Sequence, residues 1–289
     1  MLETARGRLA PADPADPPPP AGQEAVATAT MSAPLATAIR LRAPELQTPV
    51  VASPGWGLGM VSLGVPVIFG AAIVVTIFAA IFSGIDNIGQ VGLPMSVLFF
   101  GLLGQQAAMG AWPLYVARRF GQGLAADLRL KFDRFGHDVV LGLAVGTAMI
   151  FVAGLMSVVA STVMSLEGSA SNTESVTEAA ASGWQWPTIA LAVLGAPIVE
   201  ELFFRGLLLR ALEGKWGKIV AVALSSVVFT LIHYNGAGLP ETVVLFSAIG
   251  TVAVVLGVVV VKTNRLLIAI VAHAVFNAMG VLAAYSVLA

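Results

Sequence analysis

Seven long apolar stretches run through this chain, and nothing else in it constrains the fold as strongly. They cover roughly residues 57–82, 93–117, 138–164, 187–211, 218–234, 242–261 and 266–287. Most approach the ~20 residues that a helix needs to cross the hydrocarbon core of a bilayer. The second is the weakest, with Gln105, Gln106 and Pro113 inside it, and the fifth is short. Charge is scarce to match. Of 289 residues, 11% are charged, against about 25% in a soluble domain, so lipid must cover much of the surface. The expected fold class is all-α: a polytopic transmembrane helical bundle of about seven spans.

The basic residues set an orientation. Apart from Arg205, every Lys and Arg falls in the N-terminal tail, at 118–134, at 210–218 or at 262–265. Those segments alternate with the spans so that all lie on one side. Positive residues favour the cytoplasm, which predicts an N-terminus inside, a C-terminus outside and a multi-pass protein of the cell membrane. The loop 165–186 carries Glu167, Glu174 and Glu178 and no base, as an external loop can. Net charge is −1 and the bases form no continuous patch, so nucleic acid is not an expected partner. There is no cysteine, which excludes disulfides, thiolate nucleophiles and Cys-ligated metal.

Residues 1–50, with PADPADPPPP at their centre, lack the apolar content to offset ordering entropy. They are expected to be a disordered cytoplasmic tail, with 51–289 as the transmembrane domain. Met31 would serve as an alternative start. No secretory h-region opens the chain, so the first span is expected to direct insertion.

Ionisable groups within spans are costly, at ~2.5–3.5 kcal/mol each on insertion scales, and they mark function or pairing. The fourth span alone holds three: Glu200, Glu201 and Arg205. Glu201 and Arg205 are four residues apart and share a face, so they can pair. Glu200 lies about 100° around the helix and can point at other helices. Pro197 removes one backbone hydrogen bond just before them. The fifth span offers Phe229 and His233 at the same i,i+4 spacing, and the seventh offers His273 and Asn277.

EELFFR (200–205), FTLIH (229–233) and HAVFN (273–277) together resemble the EExxxR, FxxxH and HxxxN motifs of the CPBP intramembrane proteases. That family includes the type II CAAX prenyl endopeptidases and the Abi or lysostaphin-resistance-like proteins. Each motif alone is weak; all three, in order, on three separate spans, form a specific signal. The resemblance covers about residues 187–289, which it implies are the catalytic core.

The resemblance implies roles residue by residue. Glu200 is the general base for a hydrolytic water, and His233 helps hold that water. His273 and Asn277 stabilise the oxyanion, as fixed donors in a dry site do well. Glu201 and Arg205 form a structural pair, and Phe229 packs beside the site. Glu200, His233 and His273 also make up the His₂Glu set of a known catalytic zinc site. Catalysis with zinc and without it both stay open. The implied activity is hydrolysis of peptide bonds in a membrane-associated protein or peptide, at a buried site expected to open toward the cytoplasm. The Ala/Gly/Val-rich composition points to a bacterial source, where prenylated substrates are unexpected. HExxH, an intramembrane Asp pair and GxSG are all absent, so other intramembrane protease types fit worse.

Two other classes compete. One is a non-catalytic immunity or partner protein that keeps the cluster for structure. The other is a transporter or proton relay, which the lack of an internal repeat disfavours. Among the remaining polar residues, Gln105 and Gln106 read as interhelical bonding groups and Trp216 as an interfacial anchor. His137 reads as solvated. Arg118, Arg119, Arg129, Lys131 and Arg134 read as topology determinants touching anionic lipid. One mismatch of depth stands out. His233 lies ~22 Å above Lys218, while Glu200 and His273 lie ~12–17 Å above the ends of their spans. The fifth span is therefore expected to tilt or to start deeper.

Overall fold

The computed structural model describes residues 55–84, 92–166, 178–179 and 182–288. The predicted tail, the alternative start at Met31, and Glu167 and Glu174 of the acidic loop lie outside the described residues.

Helices account for the described chain. They are α1 (Leu58–Phe82), α2 (Met95–Phe120), the single turn α3 (Leu124–Asp127), α4 (Phe135–Met164), α5 (Gln185–Leu231), α6 (Leu239–Thr263) and α7 (Leu266–Leu288). All but α3 are long and apolar enough to cross a membrane. Their outward faces carry large apolar side chains such as Phe69, Phe82, Phe151 and Val163, the last two about three-quarters exposed. A soluble protein does not leave so much contiguous apolar surface to water. The chain is a multi-pass membrane protein with a polytopic helical bundle.

The fourth and fifth expected spans are both present, joined as α5. At 47 residues α5 would be ~70 Å long if straight, more than twice the ~30 Å hydrocarbon core. It is not straight. Gly217 adopts φ 77°, ψ 173°, a conformation open to glycine and costly for other residues. The chain doubles back there: Ser225 Oγ–H donates to the Phe204 carbonyl at 3.2 Å, and the Phe204 and Phe229 rings meet edge to face at 5.0 Å. The mismatch of depth resolves at the same point. The first arm of α5 continues well past residue 211, so the second arm starts deeper.

Small residues set the helix spacing, as expected where dispersion rather than the hydrophobic effect drives association. A Cβ on Gly142 or Gly146 of α4 would come within 2.6 Å of Val271 or 2.8 Å of Val275, which fixes α4 tightly against α7. Trp112 Nε1–H donates to the Met60 carbonyl at 2.9 Å and ties α2 to α1.

The end of the bundle that carries the bases is held by buried polar pairs. Arg129 is 1% exposed and pairs with Glu213 on the first arm of α5. Its carbonyl accepts the Leu266 N–H at 2.9 Å. This corrects the expectation of a lipid-contacting Arg129: it is an internal strut. Arg265 pairs with the fully buried Asp138 and, at 2.8 Å, with Asp133. His137 is largely exposed beside Asp138. Trp216 is half exposed, with the Lys215 ammonium 4.7 Å above its ring.

Candidate active site

The first arm of α5 is not a uniform helix. Two π turns, Leu191–Gly195 and Leu202–Leu208, bracket the short α-helical piece Ala196–Glu201. The cause of the first lies in Pro197. The Ala196 N–H reaches back five residues to the Leu191 carbonyl. The same pattern would next pair residue 197 with the Ala192 carbonyl, but proline has no N–H to give. That orphaned carbonyl accepts a hydrogen bond from Asn277 Nδ2 on α7, at 2.8 Å. The amide thus restores a backbone partner that the proline removes and docks α7 onto the π turn. Such wide turns recur at functional sites.

The two adjacent acids diverge, as the 100° step requires. Glu201 is fully buried in the bundle, whereas the Glu200 side chain is 14% exposed and faces a cavity. Glu201 Oε1 accepts from Arg205 Nη1 at 2.8 Å and from His273 Nδ1 at 2.9 Å. Arg205, 1% exposed, also donates from Nη2 to the Ala253 carbonyl of α6 at 3.2 Å and lies 4.3 Å over the Phe229 ring. One carboxylate therefore joins α5 to α7, and its guanidinium partner joins α5 to α6.

His273 is oriented by this arrangement. An ionised carboxylate only accepts, so the ring nitrogen at Glu201 carries the proton. The opposite nitrogen, Nε2, faces Glu200 Oε2 across 3.8 Å. That gap is too long for a direct hydrogen bond and is of the order that a bridging water spans. His233 is fixed in a similar way. Its Nδ1–H donates to the Phe229 carbonyl at 2.7 Å, which leaves Nε2 as an acceptor. The Phe229 ring, 1% exposed, sits 4.7 Å from the His233 ring and 5.8 Å from that of His273. Phe229 is more than packing at the margin: it spaces the two imidazoles.

Glu200, His233, His273 and Asn277 all line one cavity of about 300 Å³. α5, α7, the end of the second arm of α5 and α2 each contribute to its wall. The wall from α2 holds Gln106, whose Oε1 is buried without a partner among the described residues. This differs from the expected interhelical bond and arises because α2 faces the cavity there. Thr188 Oγ1 is likewise buried in the wall and unpartnered. No sequence signal marked Thr188, since a single threonine in a span is unremarkable without its neighbours.

The His₂Glu set does not fit a metal. Among the described residues no three of His, Asp and Glu converge closely enough to hold one.

The cavity also lies on the unexpected side. On the first arm of α5 every wall residue other than Glu200 precedes Glu200, and on α7 every wall residue other than His273 follows His273. The bases lie the other way along both helices. Toward them the bundle is closed by the Glu201–Arg205 pair and by the fully buried Phe229, Leu207 and Leu209. The expected opening toward the basic side does not accord with that packing.

Comparison with curated proteins and with solved structures finds no match for the chain. A comparison with family models does. The type II CAAX prenyl endopeptidase Rce1-like model matches residues 182–279. All three motifs fall inside that span, and the family carries intramembrane endopeptidase activity in general. The segment that brings Glu200, His233, His273 and Asn277 to one cavity thus lies within the residues that match the Rce1-like model, which supports the resemblance to the CPBP intramembrane proteases.

Proposed function

We propose that the protein is an intramembrane endopeptidase in which Glu200 activates water against a peptide carbonyl. The observation that carries this reading is the convergence of Glu200, His233, His273 and Asn277 on a single cavity within a membrane bundle. The water sits between Glu200 and the His273 and His233 imidazoles. Glu200 takes its proton, and the hydroxide adds to the carbonyl carbon. The oxygen of the carbonyl becomes an oxyanion facing the second N–H of Asn277, while His273 Nε2, which carries no proton, holds the water. Protonated Glu200 then gives its proton to the leaving nitrogen as the C–N bond breaks, which yields a carboxylic acid and an amine that leave as carboxylate and ammonium. Preorganised donors of this kind each contribute a factor of about 10²–10³ in rate. No step needs a metal.

Glu201 positions His273, and Arg205 holds Glu201. Gln106 Oε1 and Thr188 Oγ1 supply partners for the substrate backbone, whose polar groups find no water in a dry site. The one-sided distribution of the bases supports an N-terminus in the cytoplasm and a C-terminus outside the cell membrane. The substrate is a membrane-associated protein or peptide; nothing in the cavity calls for a prenyl group.

The test is cleavage of a peptide library by purified wild type and by Glu200→Gln, Glu200→Ala and His273→Ala, with and without chelator. Cleavage by wild type, lost in all three variants and indifferent to chelator, is the expected result. A wild type that cleaves nothing, or a Glu200→Gln that cleaves normally, overturns the assignment.

A further inference from the structure

We infer that the cavity is entered from the face of the membrane opposite the basic loops, so that its substrate is a peptide segment presented outside the cytoplasm. The word substrate rests on the function proposed above; the direction of entry rests on packing and on the distribution of the bases.

Three helices, α7 running opposite to α2 and to the first arm of α5, agree on the direction. On α5 the wall runs from Glu200 back to Thr188, twelve residues earlier, or about 18 Å along the axis. On α7 it runs from His273 forward to Val281, about 12 Å. On α2 it uses Leu102 and Gln106, in the half of the helix remote from Arg118 and Arg119. All three courses lead away from the basic ends. In the other direction lie, first, the buried Glu201–Arg205 pair and then the buried Arg129–Glu213 pair. A substrate arriving from the basic side would have to displace both, and separating either pair leaves an uncompensated buried charge. Entry from the opposite side meets no such barrier among the described residues.

The distribution of the bases then names that side. Among the described residues, all the Lys and Arg residues except Arg205 lie on the sealed side, which the positive-inside rule assigns to the cytoplasm. The site is a well with its floor toward the cytoplasm and its mouth toward the exterior. An extended segment reaching Glu200 from outside passes Thr188 and Gln106, whose unpartnered oxygens lie on its route. Secreted peptides, exported chain ends and external loops of membrane proteins can reach such a site; a prenylated chain end held in the cytoplasm cannot.

The chain has no cysteine, so a single introduced thiol reports without a background. Gly280→Cys places one in the cavity wall, where a Cβ meets nothing within 4 Å. Lys215→Cys marks the basic side, and Phe151→Cys marks the lipid-facing surface. Each is made in the full chain and treated with a membrane-impermeant charged maleimide, in intact cells and in inverted vesicles. Total thiol is counted after denaturation. Gly280→Cys is expected to label in intact cells and not in inverted vesicles, Lys215→Cys the reverse, and Phe151→Cys in neither. Labelling of Gly280→Cys from the same side as Lys215→Cys, or from neither side, overturns the inference. Repeating the experiment in the Glu200→Gln background separates the two claims, because entry is read there without any cleavage.

Discussion

Replacing Arg205 by Met tests the reasoning about the buried pair most directly. The guanidinium is 1% exposed and Glu201 is not exposed at all, so solvent screens neither. Removing one partner of such a pair leaves a buried charge and costs about 3–5 kcal/mol. The contact with the Phe229 ring at 4.3 Å adds about 1–2 kcal/mol when desolvated. The expected loss is therefore about 4–7 kcal/mol, or some three to five orders of magnitude in the folded-to-unfolded ratio. Protein in mild detergent, titrated with a denaturing detergent and followed by circular dichroism, measures it. The companion is Glu201→Leu with Arg205→Met. Apolar replacement of a whole buried pair is often neutral or stabilising, so the double variant should recover most of the stability. It should not recover activity, because His273 has lost the carboxylate that orients it. An Arg205→Met loss below about 1 kcal/mol, or a double variant as unstable as the singles combined, would refute the claim that the pair is desolvated and coupled.

Three further perturbations reach other parts of the bundle. Asn277→Ala leaves the Ala192 carbonyl unpartnered and removes an oxyanion donor, so kcat should fall about 10²-fold or more, whereas Asn277→Asp, which has no N–H to give, should not restore it. Gly146→Val drives a side chain into the Ala272 carbonyl and Val275; overpacking of this kind costs about 1–3 kcal/mol, and the shift of α7 should lower kcat with little change in KM. At the basic end, the hydrogen bond from Arg265 holds the Asp133 carboxyl below its ordinary value. A depressed acid stabilises the fold above its unfolded pKa of about 3.9 and loses that contribution as pH falls through the folded value. Melting curves between about pH 2 and about pH 5 should therefore show a steeper acid loss in wild type than in Asp133→Asn.

The number and placement of the spans were legible because apolar length is a local property, and each helix keeps nearly the bounds that its sequence suggests. The divergence of Glu200 from Glu201 was legible too, since 100° per residue needs no tertiary knowledge. The basic ends were read as surface because charge in a loop is ordinarily solvated; burial of Arg129 depends on Glu213, 84 residues away, and no periodicity links them. The direction of the cavity was misread because it depends on which side of Glu200 the neighbouring helices close, a matter of packing among α2, α5 and α7. Gln106 and Thr188 were undervalued for the same reason: an unpartnered oxygen is visible only once every nearby donor has been placed.

The two π turns of α5 make its register unusually brittle. Each inserts extra backbone into a turn, and the residues on either side hold their facings only while that surplus stays. Deleting one residue from Leu191–Gly195 would leave the span just as apolar and nearly as long, yet would swing Thr188 and everything before it by about 100° relative to Glu200. The cavity wall would turn into lipid while the catalytic face stayed put. Among relatives of this chain, substitutions along the first arm should therefore be common and single-residue gaps within it rare, a pattern set by angle rather than by chemistry.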